Sequence, residues 1–395
     1  MAIKEKFHDL CVQGNFAGGA LLIRRDGQEI HRQYEGLRDI ENALPVDGDT
    51  IFRLASMTKP VVAVCVMILE ERGMLSLDDP IQKYIPAFEK LRAADRMVGF
   101  MDVYEPDPDN PTVPKFNPSK LDDIHPVPLE RPVTIRHLLT HSSGMGQGPY
   151  SAGPLGEKNR TDMTLEERVN MFAEVPLDFQ PGTFSSYSAT TGFDILGRLV
   201  ELLSGMDLET FTKTNICGPL GIRDMGFHPT DEHLSRLAKL YAAKDGQLTD
   251  IGDSDELCRM FDPRKVNYLS GSAAMFGSLN AYDRFVQMLA NGGELDGARI
   301  LKAETVTRMA DPRNSVHEMG SGQFWGLGMM VRDDPEKAGS PLSKGSYGWS
   351  GAYGTHFFID PVKRLTGVMV MNVSNIGGAG SPIIPVFEKG ADELV

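Results

Sequence analysis

The sequence predicts an α+β fold: one antiparallel β-sheet built from both chain ends, flanked by helices, with a mainly helical domain inserted in its middle. Three observations carry this. Residues 16–38 alternate apolar and polar around Asp26-Gly27, a hairpin turn dipeptide. After about residue 320 the pattern returns to strands. Between these ends the apolar residues recur mostly with helical spacing. The sheet domain is expected over residues 1–88 and 270–395, and the helical domain over 89–269.

The first ten residues read as a short amphipathic helix. Residues 20–23 and 29–34 are the two hairpin strands. Residues 51–54 form a strand or loop that leads into a helix over 56–72. That helix carries Val61, Val62, Val64, Val66, Met67, Ile68 and Leu69, and stops at Gly73. A short helical turn follows from Leu77 to about Tyr84. Residues 89–132 change character. Eight prolines (106, 108, 111, 114, 118, 126, 128 and 132) lie among many aspartates. A structureless stretch of that length is either a functional flap or a floppy insertion, and both stay open. Further helices are expected over 134–141, 165–173, 188–203, 230–243 and 282–289, with stops at Gly144, Gly205 and Gly292-Gly293. Residues 325–331, 346–358 and 365–372 read as strands, the last two joined by a turn at Asp360-Pro361.

Composition narrows the function. The net charge is −14, from 40 basic and 54 acidic residues, and no Lys/Arg-rich run appears. Both disfavour a nucleic-acid partner. Cys11, Cys65, Cys217 and Cys258 form no C-x-x-C pair and no zinc spacing, and are too few for a disulfide framework. No stretch is long and apolar enough to span a bilayer, and the start lacks a signal-peptide pattern. A cytoplasmic protein with no membrane partner, metal or cofactor is expected.

The most informative stretch is Ser56-Met57-Thr58-Lys59, the only S-x-x-K in the chain. Residues three apart share a helical face. A hydroxyl becomes a nucleophile when a base takes its proton, and a lysine is such a base if its surroundings disfavour the ammonium. The plain alternative is a Ser56 that merely caps the helix.

Three more segments fall in order behind this pair: Thr134-Ile-Arg-His-Leu-Leu-Thr-His-Ser-Ser-Gly144, Tyr187-Ser188-Ala189 and Trp349-Ser350-Gly351. With them the chain resembles the serine β-lactamase and penicillin-binding superfamily, most of all its class C-like branch and the family VIII carboxylesterases. The resemblance covers nearly the whole chain. It implies a β-lactamase/transpeptidase-like fold and an acyl-enzyme on Ser56. It implies Lys59 and Tyr187 as a coupled base, with the proton acceptor of the two undecided. The oxyanion hole would be the N–H groups of Ser56 and Ala352, and substrate would lie along Trp349, Ser350 and Gly351. Gly351 would let the strand approach substrate, or merely mark a bulge.

Two departures bear on substrate. Trp349 stands where lactamases carry the lysine of Lys-Thr-Gly, and Ala189 where they carry the asparagine of Tyr-x-Asn. One loses attraction for an anionic substrate, the other an amide-binding side chain. Both suit a small neutral ester. A β-lactamase or D-amino-acid peptidase, and a non-catalytic binding protein on the same scaffold, are the alternatives. Within Gly348-Trp-Ser350-Gly-Ala352, Ser350 is the runner-up nucleophile, although strand-like residues follow where a nucleophile elbow needs a helix. His137 and His141, four apart, could hold a metal, but packing or capping is the simpler expectation. Trp325 could stack on substrate or sit in the core, and Gln147 could line the pocket or lie solvated. Acyl length, alcohol, hydrolysis against acyl transfer, and oligomeric state are left open.

Overall fold

The computed structural model describes residues 3–97, 103–106, 114–146, 148, 150, 151, 155, 158, 160, 162–252, 267–315 and 317–395. Its largest sheet has nine strands: β1 Gly18–Arg25, β2 Gln28–Asp39, β3 Leu44–Pro45, β4 Glu318–Gly320, β5 Gln323–Trp325, β6 Met330–Arg332, β7 Tyr347–Gly351, β8 Thr355–Asp360 and β9 Leu365–Met371. They lie in the order β4-β5-β6-β7-β8-β9-β1-β2-β3, each pair antiparallel. β1 closes the sheet between the chain ends: Ala20 faces Tyr34 on one side and Val370 on the other. The β1–β2 turn has positive φ at both Asp26 (54°) and Gly27 (74°), the geometry a tight right-twisted hairpin requires.

Alternation sorts the strand residues between two layers. Ala20, Leu22, Trp349, Phe357, Val368 and Val370 join the main core. There they meet α2 (Thr58–Glu71) and the helix Leu279–Ala290. On the other face Leu21, Ile23, Phe358, Met369 and Met371 pack with Phe7 of α1 (Ile3–Val12) and Phe387 of the C-terminal helix Ile383–Asp392. Residues 58–69 of α2 are all buried, as an apolar helix at the centre of a large core must be.

Several expectations change. The 230–243 segment is helical only over Asp231–Arg236. Tyr241–Lys244 is a strand paired with Gln247–Asp250 around Asp245-Gly246. Both turn residues have positive φ, so the dipeptide that marked the first hairpin marks this one too. The expected strand 325–331 is two strands, β5 and β6, with Gly328 at φ 85° between them. The expected strand 346–358 is the β7–β8 hairpin, with Gly354 at φ 81°. The helix expected from 188 begins at Gly192, leaving residues 188–191 as loop. Within the proline-rich insertion, Arg92–Ala94 pairs with Pro126–Pro128 and Tyr104–Pro106 with Pro114–Phe116. Gln147 and Cys258 lie outside the described residues. No described helix is long and apolar enough to cross a membrane.

Candidate active site

Ser56 sits on a single 3₁₀ turn, Ala55–Met57, that feeds directly into α2. Ala55 has φ 47°, a left-handed conformation that costs a non-glycine residue about 1 kcal/mol or more. The turn is over-determined. Thr58 Oγ1 donates to the Ala55 carbonyl (2.7 Å) and accepts from Met275 N–H (3.1 Å). Tyr282 Oη donates to the Met57 carbonyl (2.9 Å) and Thr355 Oγ1 to the Leu54 carbonyl (3.0 Å).

One turn along α2, Lys59 is 1% exposed. Its Nζ meets three acceptors: the Ala189 carbonyl at 2.6 Å, the Ser272 carbonyl at 2.9 Å and Ser56 Oγ at 3.2 Å. The two carbonyls can only accept, so they engage two amine protons. The remaining position on Nζ faces the serine. In an ammonium that position is a proton; in a neutral amine it is the lone pair.

Tyr187 arrives from a loop 131 residues away, and its Oη lies 2.7 Å from Ser56 Oγ. The phenol ring stacks on Trp325 (5.7 Å, 12° between planes) and touches His141 (4.8 Å) and Trp349 (5.1 Å). Lys59 Nζ lies 5.0 Å from the ring centre. The amine of Lys59 and the phenol of Tyr187 thus both meet the same oxygen, Ser56 Oγ.

A family model for beta-lactamase matches residues 3–380. The chain belongs to the beta-lactamase family. It is 31% identical over 389 residues to esterase EstB of Burkholderia gladioli, covering 92% of this chain and 88% of that one. It is 29% identical over 397 residues to a lovastatin esterase of Penicillium rubens, covering 93% and 90%. The solved structure of EstCE1, described as a hydrolase with promiscuous acyltransferase activity, superposes with a TM-score of 0.78 at 25% identity, covering 99% of this chain and 97% of that one.

Within this family fold, the support beneath Lys59 had no counterpart in the sequence reading. Asp194 Oδ1 accepts from Ser270 Oγ (2.7 Å) and from Ser272 N–H (3.1 Å), and Oδ2 accepts from Arg168 Nε (3.1 Å). Ser272 Oγ donates to the Thr190 carbonyl (2.9 Å). A buried ion pair therefore fixes the loop whose carbonyl holds the amine. Asp194, a charge in the first turn of a strongly apolar helix, was a visible signal; main-chain carbonyls leave none.

The Trp349-Ser350-Gly351 strand divides its side chains. Trp349 is only 4% exposed and packs on Tyr187 and Trp325 (4.5 Å), so it floors the phenol rather than presenting an open wall. Ser350 points to the opposite face. Its Oγ lies 2.8 Å from His356 Nδ1, His356 Nε2 lies 3.2 Å from Glu388 Oε1, and Arg332 pairs with the same carboxylate. The order serine–histidine–glutamate mimics a catalytic triad, yet all four side chains are buried at 2–4% exposure. The Ser350 hydroxyl is thus engaged with His356 on the face of the strand opposite Trp349, apart from the Ser56–Lys59–Tyr187 cluster. Burial holds His356 below its ordinary pKa, against the pull of Glu388. Burial would raise Glu388, but His356 and Arg332 outweigh it and keep the carboxylate below its usual range.

Gly351 permits a close approach within the fold itself. A Cβ there would stand 2.2 Å from Thr355 Oγ1 and 2.3 Å from the Leu54 carbonyl. The strand is pressed against the Leu54–Ala55 backbone. Ser56 and the exposed Ala352 each lie one residue beyond that contact.

His137 closes a capping box with Thr134, accepting from its N–H at Nδ1 (3.2 Å). Burial, with Arg131 and Arg136 nearby, pushes it down to about 4. His141 is fully buried against Trp325 (4.2 Å). Among the described residues no group of three or more His, Cys, Asp or Glu is placed to hold a metal ion.

Proposed function

We propose that the chain is a carboxylesterase-type serine hydrolase of the family VIII kind, cleaving small neutral esters through an acyl-enzyme on Ser56. One observation carries the proposal: Ser56 Oγ sits 2.7 Å from the Tyr187 phenol and 3.2 Å from a Lys59 amine whose other two contacts are carbonyls. Ser56 Oγ attacks the ester carbonyl while its proton passes to the Lys59–Tyr187 pair. The pair returns that proton to the departing alcohol. Water, or a second alcohol in acyl transfer, then repeats the sequence on the acyl-enzyme and frees Ser56. The N–H groups of Ser56 and Ala352 serve as the oxyanion donors, beside the contact of Gly351 with Ala55.

Three features support an ester over a lactam or peptide. Ala189 offers no side-chain amide and spends its carbonyl on Lys59. Trp349 puts a buried indole where an anion would need a cation. Relatives over nearly the full chain are named as esterases.

The test is an ester panel with fluorophosphonate labelling. Ser56→Ala abolishes turnover and labelling of the 56 peptide. Lys59→Met and Tyr187→Phe each lose roughly 10²–10⁴-fold in kcat/KM, the usual worth of a general base. p-Nitrophenyl butyrate turns over faster than an anionic cephalosporin. Substantial turnover by Ser56→Ala, or a label on another residue, would refute the proposal.

A further inference from the structure

One buried group beside Tyr187 has no part in the chemistry above. His141 ends the helix Ile135–Leu139 in a tight turn, with φ 51°. That left-handed conformation is strained for a non-glycine residue, so the surroundings must enforce it. The turn presents two acceptors to one neighbouring segment. The His141 carbonyl accepts from Ser186 N–H at 2.9 Å. The His141 ring accepts from Ser188 N–H at Nδ1, at 3.1 Å. These donors flank Tyr187 on either side. Ser142 extends the same edge, its carbonyl accepting from Gly182 N–H at 2.8 Å.

A ring nitrogen accepts only when unprotonated, so this hydrogen bond assigns the proton to Nε2. Burial, with Lys59 nearby, keeps the ring neutral well below the ordinary 6.5 and leaves Nδ1 free to accept. Nε2 has no hydrogen-bond partner among the described residues. The Nδ1 edge is therefore the part of the ring that binds. The ring face adds a second constraint, touching Tyr187 at 4.8 Å and Trp325 at 4.2 Å.

We infer that His141 is a positioning residue for Tyr187: its carbonyl and its Nδ1 grip the main chain at 186 and 188 and set the phenol at hydrogen-bonding distance from Ser56. The inference rests on Ser56, Lys59 and Tyr187 being the reacting set. A reacting group displaced by 1 Å loses about 10²-fold in rate. Loss of the ring acceptor leaves Ser188 N–H unpaired in a buried site, and the loop must shift to satisfy it.

Asparagine and glutamine separate positioning from space filling. The amide oxygen of asparagine reaches the place of Nδ1; that of glutamine reaches the place of Nε2. Steady-state kinetics on p-nitrophenyl butyrate are compared for wild type, His141→Asn, His141→Gln, Tyr187→Phe and Tyr187→Phe/His141→Gln, with a thermal melt of each. His141→Asn keeps kcat within about threefold, while His141→Gln loses roughly 100-fold in kcat with KM nearly unchanged. In the Tyr187→Phe background His141→Gln adds less than about threefold, because the group it positions is already gone. Equal losses in the Asn and Gln variants overturn the inference. So does a full His141→Gln loss on top of Tyr187→Phe, or a variant without a folding transition, which makes His141 a folding residue. Wild-type activity in Tyr187→Phe instead sinks the role of the phenol and this inference together. An impaired Tyr187→Phe beside an intact His141→Gln sinks this inference alone.

Discussion

Lys59 and Gly351 show two ways in which single residues build this site. Lys59 is a long amine side chain held in the core by two main-chain carbonyls and one hydroxyl. Gly351 is an absence of side chain that lets two backbone segments meet. Its Cβ position falls 2.3 Å from the Leu54 carbonyl and 2.2 Å from Thr355 Oγ1, well inside contact distance. Gly351→Ala must push β7 from the Leu54–Ala55 segment or break the Thr355–Leu54 hydrogen bond. It is expected to destabilise by about 1–3 kcal/mol in urea unfolding, the usual cost of overpacking. It should also lower kcat, since both proposed oxyanion donors adjoin that contact. Unchanged stability would mean that the strand relaxes freely and that glycine is incidental. The Ser56–Lys59 pair was legible in the sequence because both partners are side chains at helical spacing. The carbonyls of Ala189 and Ser272 were not, since any residue supplies a carbonyl and only the fold decides where it points.

β7 carries two unrelated loads at the scale of the element. Trp349 packs beneath Tyr187 on one face, while Ser350 joins His356, Glu388 and Arg332 in a buried polar chain on the other. That chain ties three strands to the C-terminal helix. Ser350→Ala should keep ester turnover within about twofold and cost about 1 kcal/mol, the net worth of one hydrogen bond. Glu388→Ala should cost about 3–5 kcal/mol, because it strands a buried Arg332 charge. A Ser350→Ala enzyme as inactive as Ser56→Ala would make Ser350 a nucleophile after all. Gly348-Trp-Ser350-Gly-Ala352, one residue short of G-x-S-x-G, puts Ser350 on a strand, where a shift of one residue exchanges site face for far face. The same period explains the errors in strand length. Long apolar stretches around Gly328 and Gly354 look like single strands until the positive φ of a glycine turns the chain back. Asp245-Gly246 carried a correct hairpin signal that the helical spacing of the preceding residues overrode.

The whole molecule was legible where both chain ends alternate, because only pairing the N-terminal hairpin with the C-terminal strands buries both apolar sets; β1 does so between β2 and β9. Burying polar groups in so large a core has a consequence for pH. His137 is pushed down to about 4, His141 lies well below 6.5 and His356 lies below it, each chiefly through burial. Unfolded, all three titrate near 6.5. Below that pH the unfolded chain binds more protons than the folded one, so stability is complete above about 6.5 and falls as the pH drops toward the folded values. Each histidine still neutral in the fold costs about 1.4 kcal/mol per pH unit in that window. Glu388, held below its usual range, adds a loss of the same sign that begins only near pH 4.5. Exposed His8, raised by its hydrogen bond to Glu35, acts in the opposite direction at the surface, where solvent screens it. The urea midpoint should therefore fall between pH 7.5 and 5.5, and His356→Gln should flatten part of that slope because glutamine cannot take the proton. A midpoint level across this interval would show that the folded protein accepts the protons too, and that its core is less closed around these rings than their burial requires.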